Sequence, residues 1–318
     1  MNAIDFEPNY GNALASCSTD QKIFLWNVYG LQKLVSFVVP LFLLSPQNPF
    51  LSKKKGDCVN YSVLSGHKNA VLNVKWTCDG EGLVSCSADK TAFVWDSETG
   101  NRSRRLQHKS IVNDISVGNE SPNFCVTGAD EKKAILWDLR EKNKATEFGH
   151  SFQVTSVAFS ESSSQVLTGG IDPTIRVFDI RLPEKPSLEL EGHRDTLTSL
   201  QLSKSSTFAL SNSKDNTLRI WDVKPFSSTP NRCLKLFEEN KHNFENNLLK
   251  CSWSADGRKI GAGSADRFVY VWDTTSRNLL YRLPGHSGVV FDVKFHPKEP
   301  IIASSSSDGT IFLGEIEP

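Results

Sequence analysis

Six of the seven histidines stand a near-constant step ahead of a carboxylate. His67, His108, His150, His193, His242 and His286 precede Asp89, Glu131, Asp172, Asp215, Asp266 and Asp308 by 22, 23, 22, 22, 24 and 22 residues. An imidazole beside a carboxylate is the pairing used in general-base catalysis and near metals. The regular step argues against both, because reactive or ligating groups converge on one place whereas these pairs are dealt out along the chain. The acids likewise resemble a two-carboxylate site only when written side by side. No glycine-rich phosphate loop, metal-ligand spacing or nucleophile motif accompanies them. The seven cysteines (Cys17, Cys58, Cys78, Cys86, Cys125, Cys233, Cys251) are odd in number and scattered, with no Cys-x-x-Cys pair. That pattern predicts a reducing, intracellular setting and no zinc site. No catalytic residue, metal or cofactor is expected.

The elements that carry these pairs repeat. Each unit runs from the histidine through an alternating apolar stretch and a cluster of small residues to an acid, then to an aromatic residue six positions on, usually followed by Asp. The seven copies are SCSTDQKIFLWN (16–27), SCSADKTAFVWD (85–96), TGADEKKAILWD (127–138), TGGIDPTIRVFD (168–179), SNSKDNTLRIWD (211–222), AGSADRFVYVWD (262–273) and SSSSDGTIFLGE (304–315). From Asp20 onward the acids are 69, 42, 41, 43, 51 and 42 residues apart. A period of about 42 ending in Trp-Asp is the signature of the WD repeat, one four-stranded propeller blade each. The expected fold is therefore all-β, a seven-bladed WD-repeat propeller occupying 1–318 as a single domain. VLNVKW (71–76), TSVAF (155–159) and FDVKF (291–295) read as inner strands, and TLRIW (217–221) as a third strand.

In such a blade the histidine, the acid, a strand Ser or Thr and the tryptophan can form one buried hydrogen-bonded set that pins adjacent strands. Blade-pinning residues are predicted as His67, Asp89 and Trp95, His193, Asp215 and Trp221, and Asp266 and Trp272. Trp26 and Trp137 take equivalent packing positions.

Two departures interrupt the period. The 69-residue interval holds an atypical insert at 31–56, with Lys33, Lys53, Lys54 and Lys55 and no acid. Its readings are an insertion that packs or binds a partner, a disordered loop, or translated intron sequence; a composition unlike its flanks and a clean blade junction on removal favour the last. Its apolar core, Leu34 to Leu44, is about half a bilayer span and contains Pro40, so no membrane segment is predicted. The second departure is at the front, where Met1 to Phe6 already reads as an inner strand. The last blade is therefore expected to lack a closing outer strand and to leave an unpaired edge.

With 36 basic and 36 acidic residues, a coat for nucleic acid or a membrane surface is not expected. Function in this fold lies on its faces. The loops entering the blades and the turns before the third strands share one face, where blade 6 has the longest histidine-to-acid step and the loop HNFENN. Phe244 there is expected to replace a small or polar residue, and Phe244, Glu245, Asn246, Asn247, Arg267 and Phe268 form the candidate contact cluster. The plain alternative is that Phe244 tucks into the neighbouring blade.

The stretch 242–286, with WNVYG (26–30), VWDSETG (94–100) and GEIE (314–317), resembles the spliceosomal WD-repeat family of the U5 small nuclear ribonucleoprotein. The resemblance implies a nuclear, non-enzymatic scaffold of U5 and the U4/U6.U5 tri-snRNP acting in pre-mRNA splicing. Its partners would be spliceosomal proteins, chiefly the large central U5 protein, with RNA contact secondary and no small-molecule substrate. WDLR (137–140) and FDIR (178–181) also resemble the W-D-x-R box of substrate receptors of cullin-RING ubiquitin ligases. That second reading rests on Trp137, Asp138, Arg140 and Arg181; pairing of the two arginines with nearby acids is its plain alternative.

Overall fold

The computed structural model describes residues 1–29, 59–118, 121–141, 144–160, 164–227, 232–243, 245 and 247–316. The insert at 31–56, Phe244 and Asn246 lie outside them. The strands form seven antiparallel sheets in chain order, here blades 1 to 7, at 3–65, 71–107, 112–149, 154–190, 197–237, 251–283 and 290–315. Among the described residues, six sheets have four strands and the seventh has three. The predicted inner strands are Val71–Trp76, Val154–Phe159 and Val290–Phe295, and the predicted third strand is Thr217–Asp222.

The apolar residues lie between blades. Seven packed layers each join one blade to the next, and the last joins blade 7 to blade 1. This explains the small residues of the second strands, which are covered on both faces. A Cβ on Gly128 of blade 3 would come within 2.8 Å of the Val154 side chain of blade 4.

Among the described residues, the seam between blades 7 and 1 is open on one side only. Ile311–Glu315 pairs with Ile301–Ser306 and, among the described residues, with no outer strand. Its inner side is closed: the Ile4 N–H donates to Asp292 Oδ2 at 3.1 Å, and the Met1 amine donates to the Ser306 carbonyl at 3.1 Å. The Tyr29 hydroxyl meets His296 Nε2 at 3.2 Å, and Phe6 packs edge-on to the same imidazole. Side-chain acceptors bridge other blades in the same way. Asp114 takes the Val157 N–H, Ser156 the Leu200 N–H and Ser199 the Cys251 N–H.

Antiparallel alternation puts the histidine loops and the acid-bearing turns on one face, called the histidine face below. The first-to-second and third-to-outer connections lie on the opposite face.

Candidate functional site

In blade 2, His67 Nδ1 is 2.9 Å from Asp89 and Nε2 is 2.8 Å from the Ser85 hydroxyl, which accepts the Trp95 indole N–H at 2.8 Å. Blade 5 repeats this with His193 to Asp215 at 2.9 Å, His193 to Ser211 at 2.7 Å and Trp221 to Ser211 at 2.8 Å. Blade 3 does so with Glu131, Thr127 and Trp137 around His108, at 2.8, 3.1 and 2.8 Å. Serine, histidine and aspartate are thus placed as in a nucleophilic triad, and the chemistry is nonetheless closed. The network assigns one proton direction, indole to hydroxyl to imidazole to carboxylate, which uses every donor. The His67 and His193 side chains are 0% exposed, so no substrate reaches them. Burial lowers both imidazole pKa values against the pull of their carboxylates. A glycine ahead of the histidine completes the fit: a Cβ on Gly192 would lie 3.0 Å from the Trp221 ring.

The remaining blades fall short of the full set, each for a visible reason. Blade 1 pairs Trp26 with Ser16 at 2.8 Å and has no histidine before it. Blade 7 keeps His286, Asp308 and Ser304 but has Gly314 in place of the indole. In blade 4, Phe178 stands where the indole would be, Asp172 binds Arg176 at 2.5 Å, and His150 Nε2 is buried with no partner. The residue after the acid adopts a left-handed conformation in the other blades (Gln21, Lys90, Lys132, Asn216, Arg267 and Gly309). Blade 4 has Pro173 there, whose ring fixes φ near −65° and forbids that turn.

Blade 6 requires a correction to the predicted pinning residues. Asp266 and Trp272 do not gather around His242. Ala262 replaces the bridging hydroxyl, Asp266 accepts the Tyr270 hydroxyl at 2.6 Å, and Trp272 stacks on Tyr270 at 5.7 Å. His242 Nε2 turns to Asn212 Oδ1 of blade 5 at 3.2 Å. His150 and His242, the entrance histidines that bond neither the acid nor a bridging hydroxyl of their own blade, have pKa values pushed down to about 4. Burial is the larger cause in both, joined by Arg176 in one case and Lys214 in the other.

The candidate contact cluster divides. Phe244 and Asn246 lie outside the described residues. Glu245 Oε2 accepts the side-chain amides of Asn243 and Asn247 at 2.9 and 3.1 Å, and Arg267 is exposed at φ +75°. Phe268 is half-buried, with the Arg282 guanidinium 3.9 Å above its ring. It therefore packs within its blade. The expectation that an aromatic sets blade 6 apart is also corrected, since blade 4 carries Phe152 at the same step after its histidine. Phe152 and Ile171 are 51% and 45% exposed, and the Ile171 N–H donates to the carbonyl of Gln153, the residue after Phe152.

On the opposite face, Trp137 and Asp138 are buried and the Arg140 guanidinium forks onto Asp138 at 3.0 and 2.7 Å. The Arg181 backbone N–H donates to Asp179 at 2.8 Å, and its side chain is exposed. A cavity of about 430 Å³ lies at the inner strands, where Lys75 pairs with Asp5 at 3.0 Å. Among the described residues, no group of His, Cys, Asp and Glu is placed to hold a metal ion, and no helix is long and apolar enough to cross a membrane.

This geometry agrees with what comparison with known proteins finds. The family model described as the IFT122 first beta-propeller matches residues 50–315. The U5 small nuclear ribonucleoprotein 40 kDa protein of Dictyostelium discoideum is 48% identical over 311 residues, 98% of this chain and 80% of the relative. The Homo sapiens protein of the same name is 47% identical over 313 residues, again covering 98% and 80%. The chain belongs to the family of U5 small nuclear ribonucleoprotein 40 kDa proteins. The pre-mRNA-splicing factor cwf17 of Schizosaccharomyces pombe is 38% identical over 312 residues, 98% of this chain and 83% of that relative.

Within this family member the side chains free to meet a partner are not those the repeat makes conspicuous. Phe152 and Ile171 on the histidine face, and Leu182 and Phe226 on the other at 71% and 95% exposure, escaped the sequence reading. Phe152 and Ile171 hold fixed places in the repeat, two after the histidine and one before the acid, and an apolar residue there was the signal; Leu182 and Phe226 sit in connections where the period carries no information.

Proposed function

We propose that the chain is a non-catalytic scaffold in the nucleus that acts in pre-mRNA splicing as part of U5 and the U4/U6.U5 tri-snRNP, held chiefly by the large central U5 protein. The observation that carries the reading is the sealing of His67, His108 and His193 inside complete hydrogen-bonded sets. The groups capable of chemistry are spent inside the blades, while loop residues on both faces stay exposed. The names of the relatives supply the process. Phe244, Glu245, Asn246, Asn247 and Arg267 on the blade 6 loops remain the proposed contact, now extended along the histidine face to Phe152 and Ile171. The ligase reading is weaker, because the box arginine Arg140 is already consumed by Asp138.

The test is affinity purification of the tagged full chain from nuclear extract with quantitative mass spectrometry. Wild type is expected to bring down U5 proteins. Phe152→Ala with Arg267→Ala is expected to reduce that recovery at least fivefold with the melting temperature unchanged, as loss of aromatic and arginine anchors does. Recovery of ligase adaptor subunits in place of U5 proteins would overturn the reading.

A further inference from the structure

Leu182 and Phe226 are the two most exposed large apolar side chains among the described residues, at 71% and 95%. Single exposed apolar residues are ordinary on a protein surface, but neighbouring ones call for a cause. These two are neighbours in the ring. Both lie in connections between a third and an outer strand, one in blade 4 and one in blade 5, on the face opposite the histidines. Leu188, which follows the first connection, and Val223, which opens the second, belong to the same packed layer.

Neither side chain sits on slack backbone. Leu182 ends a turn closed by its own N–H to the Asp179 carbonyl at 3.0 Å, with the Arg181 N–H on Asp179 Oδ1 at 2.8 Å and Pro183 following. Phe226 follows Pro225, between a Lys224 N–H and a Ser227 hydroxyl that both bond Asp222 at 3.0 Å. The Arg232 guanidinium braces the same turn through the carbonyls of Lys224 and Pro225. Two braced turns therefore hold two apolar groups in water, which is the preorganisation a binding anchor uses.

The surrounding charge defines the occupant. Arg181 and Lys185 share the connection of Leu182, Lys224 precedes Phe226 with its ammonium 5.4 Å from the Phe208 ring, and Lys204 lies in the first-to-second connection of blade 5 on the same face; all four are exposed, against the single exposed acid Glu184 in the blade 4 connection. The acids Asp179 and Asp222 face inward to the turns they cap. We propose that Leu182 and Phe226 form a second docking surface, for an acidic protein segment whose apolar side chains cover them. That one of the two exposed groups is aliphatic favours protein over a stacked nucleobase, which needs an aromatic face. The inference rests on the scaffold reading and extends it: one face holds the assembly and the other takes a second protein.

The experiment replaces Phe226 in the tagged full chain with photoreactive p-benzoylphenylalanine, purifies U5 particles from irradiated cells and maps the cross-linked peptides. Expected are cross-links to protein segments rich in Asp and Glu, reduced at least fivefold by Lys224→Glu with Arg181→Glu while entry of the chain into U5 is unchanged. Cross-links to RNA, to a second copy of this chain, to non-acidic segments or to nothing would overturn the proposal, as would insensitivity to charge reversal. Entry of the chain into U5 is scored on the same sample. If the chain is absent from U5, the scaffold reading itself fails; if it is present with Phe226 uncross-linked, only this second surface fails.

Discussion

Blades 5 and 6 are built from closely similar segments, SNSKDNTLRIWD and AGSADRFVYVWD, yet only the first closes its hydrogen-bonded set. The deciding residue is the one that must serve both the indole and the imidazole. Ser211 accepts from Trp221 and meets His193, whereas Ala262 offers nothing to either side. Once that hydroxyl is gone the acid is released to Tyr270, and Arg282 stands 3.7 Å from it. The histidine leans across to Asn212 of the preceding blade, and the entrance loop is two residues longer. A blade can thus give up its internal pin and keep its packing, because Trp272 remains 2% exposed. Pinning and burial are separate contributions, and the loop of a blade without the pin is freer to vary.

Acid exposes the contrast most strongly. Because the folded pKa values of His150 and His242 are pushed down to about 4 from an ordinary 6.5, the unfolded chain binds protons first as pH falls. The stability these groups provide is complete above pH 6.5 and is lost progressively as pH falls from 6.5 to 4. Each contributes a slope of up to about 1.4 kcal/mol per pH unit. Asp215, held below its ordinary value by His193 and Thr217 against the cost of burial, adds its loss only at lower pH. Denaturant unfolding at steps between pH 7 and pH 4 should show the decline, and His150→Gln with His242→Gln should flatten it. An unchanged slope in that variant would show that neither histidine carries the acid sensitivity.

The mutational counterpart is smaller. His193→Ala removes one partner each from Asp215 and Ser211 and should cost about 1 to 3 kcal/mol. His242→Ala removes one 3.2 Å contact and should cost less than about 1 kcal/mol. Thermal unfolding of the two variants side by side checks this; equal losses would mean that the complete set contributes no more than the broken one.

The ring itself was legible in the sequence because blade geometry enforces the period. The acid, the left-handed residue after it and the small second strand recur wherever the neighbouring blade requires them. That the last sheet has three strands among the described residues was legible for the same reason, as a shortage in the count. The failure of blade 6 was written in Ala262, and that of blade 4 in Pro173 and Phe178, but a template keyed to the histidine and the acid passes over the residues that join them. Closure of the seam was not legible at all. Asp292 to Ile4 and Tyr29 to His296 join residues from opposite ends of the chain, and no local pattern announces such a contact. The exposed apolar residues Phe152, Ile171, Leu182 and Phe226 were hidden because exposure depends on what the rest of the ring leaves uncovered.

The smallest effect offers the sharpest test of the comparison. If the bridging hydroxyl is what blade 6 lacks, Ala262→Ser should restore part of the set without the histidine. Blade 1 shows that this is feasible, since Trp26 donates to Ser16 at 2.8 Å with no imidazole nearby to share the hydroxyl. Ala262 is fully buried at the corresponding position, so an added hydroxyl gains a bond to Trp272 only if it reaches the indole, and otherwise carries the cost of a buried unsatisfied group. The first outcome raises stability by about 0.5 to 1.5 kcal/mol and the second lowers it by about 1 to 3 kcal/mol. A stabilising result, read as an upward shift in melting temperature, would confirm that one oxygen atom separates the two blades. A destabilising one would place the difference in the longer loop and the turned histidine.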